Sequence, residues 1–328
     1  MEHRARTRRG GTALALLAAV MTASLAAGCT SGGGTPDDGR PPADESASPS
    51  TPSTTTAATG SVLAVKIDNA RRARPHTGLN SADIVYVEQV EGGLSRLMAV
   101  YASALPKDIG PVRSARETDL ELLRQFDEPT LAYSGAQRKL MPLIDEAPLR
   151  AEPPGQTSGA YYRGPGRRAP HNLYLRPASL MPTTPGVSAL TTGFSYGAAP
   201  SGGRAATSET VTYPLARFTF TWSPSRGGYL VAMDGTSATT TEAGPLAPAT
   251  VVVQYVTVRK SAFHDVLGNN TPFTETVGEG RATVLRDGKA FEATWSRPTA
   301  EDGTLFRSGD GEQIDFAPGQ VWVVFAKA

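Results

Sequence analysis

The sequence predicts an α+β protein: an N-terminal α/β layer domain followed by a mostly β C-terminal domain, preceded by a signal peptide and a disordered linker. Three observations lead there. Apolar strand-like runs alternate with helical patterns between residues 61 and 181; the helical signal nearly vanishes after residue 211; and residues 29–60 contain no aromatic side chain and no apolar periodicity. The 328 residues, 39% of them hydrophobic, are enough for two folded units at ~100–200 residues each.

Residues 1–28 read as a lipoprotein signal peptide: a basic start with Arg4, Arg6, Arg8 and Arg9, an apolar stretch from Thr12 to Ala27, and the small-residue end LAAGC. The segment Leu25–Cys29 resembles the bacterial lipobox, which implies diacylation of Cys29 and cleavage on its amino side. Loss of residues 1–28 leaves 28 positive and 30 negative groups, a charge of −2. The Ser, Thr, Pro, Gly and Ala of 29–60 cannot bury enough surface to offset ordering entropy, and such a linker holds the folded part about 30 Å from the lipid.

From residue 61, VLAVKI, DIVYVEQV and LMAVYAS read as three strands. RSARETDLELLRQF follows, with Leu120, Leu123 and Phe126 at helical spacing. LAYSGA reads as a strand and turn, QRKLMPLIDE as a short helix stopped at or just after Pro142, and PASLMP as a last helical turn. Strands alternating with helices give the α/β domain over 61–181. Residues 182–210, rich in Thr, Gly, Ser, Pro and Ala, form a connecting segment. Over 211–328, runs such as ARFTFTW, GYLVAM, TVVVQYVTV, FEATW and QVWVVF, broken by turn residues, give the β-rich domain.

Several functions are excluded by composition. Near-zero net charge gives no basic field for nucleic acid. A single cysteine excludes thiolate zinc sites, and an acylated Cys29 removes the chain's only candidate thiol nucleophile. No HExxH, SxxK or phosphate-binding P-loop occurs, the histidines show no metal-ligand spacing, and no cofactor motif is found. The one GxSxG, at Gly193–Gly197, lies in the connecting segment without a nucleophile-elbow setting. His264 and Asp265 read as surface residues beside a turn, and Trp222, Trp295 and Trp322 as core residues or sugar-stacking platforms.

What remains is a polar constellation in the first domain. EQVEGGLSR places Glu88, Glu91 and Arg96 around a strand-turn-strand corner. In GPVRSARE, Ser114 and Glu117 have capping-box spacing, and Arg113 and Arg116 flank the same helix start. Two guanidinium forks there could receive a carboxylate or phosphate, or could instead pair internally with Glu88 and Glu91. His171 is either a general base or a hydrogen-bonded structural residue.

The ordered set RPHTGLNSADIVYVEQVEGGLSRLMAVY, IGPVRSARE, YSGA and PHNLY, followed by VVVQYV, GEGRATVLRDGKAFEATW and PGQVWVVF, resembles the YerB-like bacterial lipoproteins over nearly all of 62–325. The resemblance implies a membrane-anchored extracytoplasmic protein with a role in cell-envelope maintenance and brings no established reaction or ligand. The leading expectation is a non-catalytic lipoprotein, held to the membrane by its lipid, whose first domain binds an anionic wall ligand or an envelope protein. The rival is a hydrolase or transferase acting on wall glycan or peptide, with Glu88 or Glu91 as acid or base and His171 assisting.

Overall fold

The computed structural model describes residues 60–265 and 268–328. The expected signal peptide, the acylated Cys29 and the linker as far as residue 59 lie outside the described residues. Strands β1 (Leu63–Asp68), β2 (Ile84–Gln89) and β3 (Ser95–Tyr101) pair antiparallel in the spatial order β2-β3-β1. Beyond β1, β4 (Thr130–Ala132) and β5 (Arg150–Glu152) add in parallel. Parallel neighbours need crossovers, and α1 (Glu117–Leu123) and α2 (Met141–Glu146) lie on the connections to β4 and β5.

This first part is richer in strand than an α/β layer. Its helices have only seven and six residues. The expected helix start is claimed by the sheet instead: Arg113 N donates to Lys66 O at 2.7 Å, Ser134 N to Arg113 O at 2.9 Å and Ala115 N to Gly135 O at 3.0 Å. Those bonds hold residues 113–115 outside the helix, so α1 begins only at Glu117, and the Asp119 carboxylate, not that of Glu117, accepts from the Arg116 amide at 2.7 Å. Ser114 caps nothing; its hydroxyl lies 3.4 Å from that of Ser134. Pro142 does not stop α2 but sits in its first turn, where a missing N–H costs no helical hydrogen bond.

Two strands, β6 (Tyr161–Arg163) and β7 (Leu173–Leu175), form a small ribbon. After β8 (Arg204–Ala205), the strands β9 (Ser208–Tyr213), β10 (Ala216–Ser223), β11 (Gly228–Met233) and β12 (Thr236–Ser237) make a four-stranded antiparallel sheet. Next come β13 (Thr250–Val256), the hairpin of β14 (Val258–His264) and β15 (Asn270–Thr274), and then β16 (Gly278–Arg286), β17 (Lys289–Arg297), β18 (Leu305–Arg307) and β19 (Val321–Lys327). The main sheet has eleven strands in the order β18-β17-β16-β13-β19-β2-β3-β1-β4-β5, with β8 against β17. The C-terminal strand β19 runs parallel to both β13 and β2, so strands from both ends of the described chain share one sheet.

Both faces of that sheet are covered, which explains why VVV of β13 and VWVVF of β19 lack polar alternation, and why even Thr250 and Gln254 of β13 are buried. One face, with Val65, Val87, Leu97, Val253 and Trp322, packs against Phe218, Phe220, Tyr229 and Val231 of the four-stranded sheet. That smaller sheet shows the alternation of a half-solvated surface. The other face, with Ala64, Tyr86, Met98, Val323 and Phe325, is covered by Leu122, Leu123 and Ile144 of the helices and by Phe306 and Phe316. Trp295 and Trp322 are buried and Trp222 packs against the first core, so none of the three is an open stacking platform. The β2–β3 corner turns at Gly92 and Gly93, both at positive φ, and a Cβ on Gly93 would lie 2.5 Å from Pro214 Cβ.

Candidate functional site

Period-two alternation places Lys66 and Asp68 of β1, Glu88 of β2 and Arg96 of β3 on the helix-covered face. Glu88 and Asp68 are the residues directly opposite Arg96 on its two sides. Neither carboxylate reaches it. Glu88 bonds the Lys66 ammonium, which also donates to Asp119 Oδ1 at 2.6 Å, and all three side chains are buried. Asp68 Oδ2 accepts from His171 Nδ1 at 2.7 Å and lies 3.5 Å from Arg113 Nε.

A cleft of about 460 Å³ opens at this end of β1 and β3. It brings together Glu91, Arg96, Arg113, Arg116 and His171, and Asp68 joins them. Glu88 does not line it. The β14–β15 hairpin supplies the facing wall through Phe263, His264, Asp265 and Thr271, so His264 and Asp265 are part of the rim.

Arg116 and Glu91 form an ion pair, although Arg116 Nε is buried without a well-aligned hydrogen bond. Glu91 Oε2 accepts from Arg116 at 2.8 Å and Glu91 Oε1 accepts from the Thr271 hydroxyl at 2.6 Å. Burial works to raise the Glu91 pKa, but the Arg116 guanidinium and the Thr271 hydroxyl outweigh it and hold the carboxyl below its ordinary range. Glu91 is therefore a poor general acid, and Arg116 is the arginine for which internal pairing is realised.

Arg96 differs. It is 9% exposed, and its one hydrogen bond runs from Nη1 to Ser114 O at 3.1 Å, with no carboxylate within ion-pair distance among the described residues. Burial, with Arg116 and Arg113 close by, lowers its pKa to about 10, which leaves it cationic at neutral pH. Its remaining donors open to the cleft, where an anion could accept from them. Glu117 and Asp265 also face the cleft, so an anion there would be recognised by directed guanidinium donors and not by a uniformly positive field.

His76 secures the backbone of this site through Nε2, 3.0 Å from Asp68 O. Burial depresses its pKa from 6.5 to about 4, so it is neutral when folded. A depressed pKa adds stability that is full above pH 6.5 and is lost as pH falls toward 4. The drop corresponds to roughly 3 kcal/mol. Urea unfolding of His76→Gln is expected to show a shallower stability loss over that window than the wild-type chain; identical slopes would remove the assignment.

Asp68, Lys66, Phe263 and Thr271 were not legible as site residues in the sequence. Only Lys66 left a signal, since a charge inside the apolar run VLAVKI demands a buried partner. Among the described residues no group of three or more His, Cys, Asp or Glu side chains is placed to hold a metal ion, and no helix is long and apolar enough to cross a membrane.

Residues 49–188 match the N-terminal domain, and residues 209–323 the C-terminal domain, of the protein family of unknown function DUF3048. The chain belongs to this family. The order of motifs from RPHTGLNSAD to PGQVWVVF is thus that of a DUF3048 protein. A Bacillus subtilis (strain 168) relative named "Putative lipoprotein YerB" is 24% identical over 287 residues, covering 80% of each chain. The crystal structure of YerB from Bacillus subtilis superposes with a TM-score of 0.68 at 20% identity, over 82% of this chain and 91% of that one, which establishes a shared fold. In the DUF3048 frame, the arginines of the cleft come from the N-terminal domain and its facing wall, Asp265 included, from the C-terminal domain.

Proposed function

We propose that this DUF3048 protein is a lipid-anchored extracytoplasmic binding protein of the cell envelope, whose cleft takes a small carboxylate or phosphate ligand on Arg96 and Arg113. The observation that carries the reading is the buried Arg96 guanidinium, open to the cleft and without a carboxylate partner among the described residues. Arg113, partly exposed and only 3.5 Å from Asp68, supplies the second fork. The anchor reading is supported by the lipobox at Leu25–Cys29 and by the relative's name. A wall-glycan hydrolase using Glu88 and Glu91 loses its basis, because the two carboxylates do not face one space and both are held by cations.

Calorimetric titration of the folded chain with inorganic phosphate and with succinate tests this. At least one is expected to bind, and Arg96→Met and Arg113→Ala are each expected to weaken it tenfold or more, as loss of a charge-assisted pair worth about 1.5–3 kcal/mol requires. Absence of heat with both anions, or unchanged affinity in both variants, would overturn it.

A further inference from the structure

The binding reading leaves one arrangement unused. His171 lines the cleft with its Nδ1 bonded to Asp68 Oδ2 at 2.7 Å, and that same carboxylate oxygen lies 3.5 Å from Arg113 Nε. Asp68 is itself fixed, since its Oδ1 accepts from the Ala70 amide at 3.1 Å and its backbone carbonyl is held by His76. A carboxylate that accepts from Nδ1–H sets the tautomer and leaves Nε2 as the ring's basic atom. No partner for Nε2 is found among the described residues, and the side chain is 20% exposed.

We infer that His171, oriented by Asp68, is a general base and that the cleft hydrolyses phosphate esters. The inference rests on the anion-binding reading and narrows it. Guanidinium forks accept carboxylate and phosphate equally well, but the carbon of a bound carboxylate is no electrophile for a base-activated water. Beside a bound phosphate ester it has: the phosphorus accepts an attacking water.

The step balances without a further reactant. Water gives a proton to His171 Nε2 as its oxygen bonds to phosphorus. The bond from phosphorus to the ester oxygen breaks on the opposite side, the departing alkoxide takes a proton from solvent water, and the imidazolium gives its proton back to solvent, leaving an alcohol and a phosphate. Arg96 and Arg113 face the non-bridging oxygens, where negative charge is concentrated. His171 contacts the reacting water and is the catalytic residue; Asp68 acts through it and is a positioning residue.

The test measures release of 4-nitrophenolate from 4-nitrophenyl phosphate and bis(4-nitrophenyl) phosphate, beside calorimetry with inorganic phosphate. Turnover of at least one ester is expected, with His171→Ala losing about 10²–10⁴-fold in kcat and regaining activity with added imidazole, which a structural role for the ring would not produce. Asp68→Asn is expected to lower kcat while phosphate binding persists. Phosphate binding with no ester cleavage above buffer, cleavage unchanged in His171→Ala, or loss that imidazole does not restore would overturn the inference and leave the binding reading intact. Failure of both phosphate and succinate to bind would overturn both.

Discussion

Lys66→Met is expected to destabilise the protein by about 3–5 kcal/mol at neutral pH, the usual cost of leaving buried charge without its counter-ion. Lys66 is fully buried and serves two carboxylates at once, Glu88 and Asp119. Burial raises the Glu88 pKa, Lys66 opposes that, and Asp119 adds to it; the net shift is upward. A raised carboxyl pKa means stability that is full below the unfolded value of 4.5 and is lost as pH climbs through the folded value. Removing Lys66 takes away the term that opposes the rise, so the variant should recover part of its stability in mildly acidic solution. It should recover part at neutral pH as well when Glu88→Gln is added. Asp119 keeps the Arg116 amide as a donor in either background, so Glu88 is the group whose neutralisation matters most. Urea unfolding between pH 5 and 8 measures all three chains. A Lys66→Met chain within 1 kcal/mol of wild type, or one that the second substitution worsens, contradicts the account. Because the His76 contribution runs the opposite way with pH, the comparison is cleanest as differences between chains at each pH.

The same residues show what could be read in the sequence and what could not. The apolar runs of β1, β2, β13 and β19 were legible because strands buried on both faces need no alternation and leave unmistakable blocks of Val, Ile and Leu. The helix over RSARETDLELLRQF was read too long. Its periodic leucines report the face turned to the core, but nothing in them reports that Arg113 and Ala115 already spend their amides on Lys66 and Gly135. With the helix start at Glu117, the proposed anion site lies on the floor of a cleft instead of at a helix mouth, on Arg113 and Arg96 instead of Arg113 and Arg116. Five of the six candidate residues do converge on that cleft, since charged side chains near strand ends and turns have few other places to go. Their pairing was hidden because it depends on contacts between distant segments: His171 and Asp68 stand 103 positions apart, and Glu91 and Thr271 stand 180 apart. Residue type is visible at each position, whereas which cation each carboxylate pairs with is set by segments outside β1, β2 and β3 as well, since Asp68 pairs with Arg113 and His171 and not with Arg96 opposite it.

Substitution of Arg297 is expected to cost nearly as much, because this residue, outside the cleft lining, ties the C-terminal strands to α1. It is fully buried, and no acidic side chain lies within ion-pair distance among the described residues. Its guanidinium instead donates to Asp302 O at 3.0 Å, Glu121 O at 3.0 Å, Leu122 O at 3.3 Å, the Thr276 hydroxyl at 3.0 Å and Ala300 O. Two of those acceptors are carbonyls in the last turn of α1, at the negative end of the helix dipole, where Glu121 O also accepts from the Arg124 amide at 3.3 Å and Leu122 O from Gln125 Nε2 at 2.8 Å. Burial lowers the arginine's pKa, with Tyr86 and Glu121 countering. Arg297→Met would remove the one donor that these three segments share at a fully buried position, at an expected cost of about 3–4 kcal/mol at typical values for lost buried charge-assisted hydrogen bonds. Arg297→Lys should lose nearly as much, because a single ammonium cannot span acceptors on three segments as the planar fork does. Thermal unfolding followed by circular dichroism reads both. A lysine variant as stable as wild type would show that charge alone suffices, and the fork geometry would then have no part in joining β17 to α1.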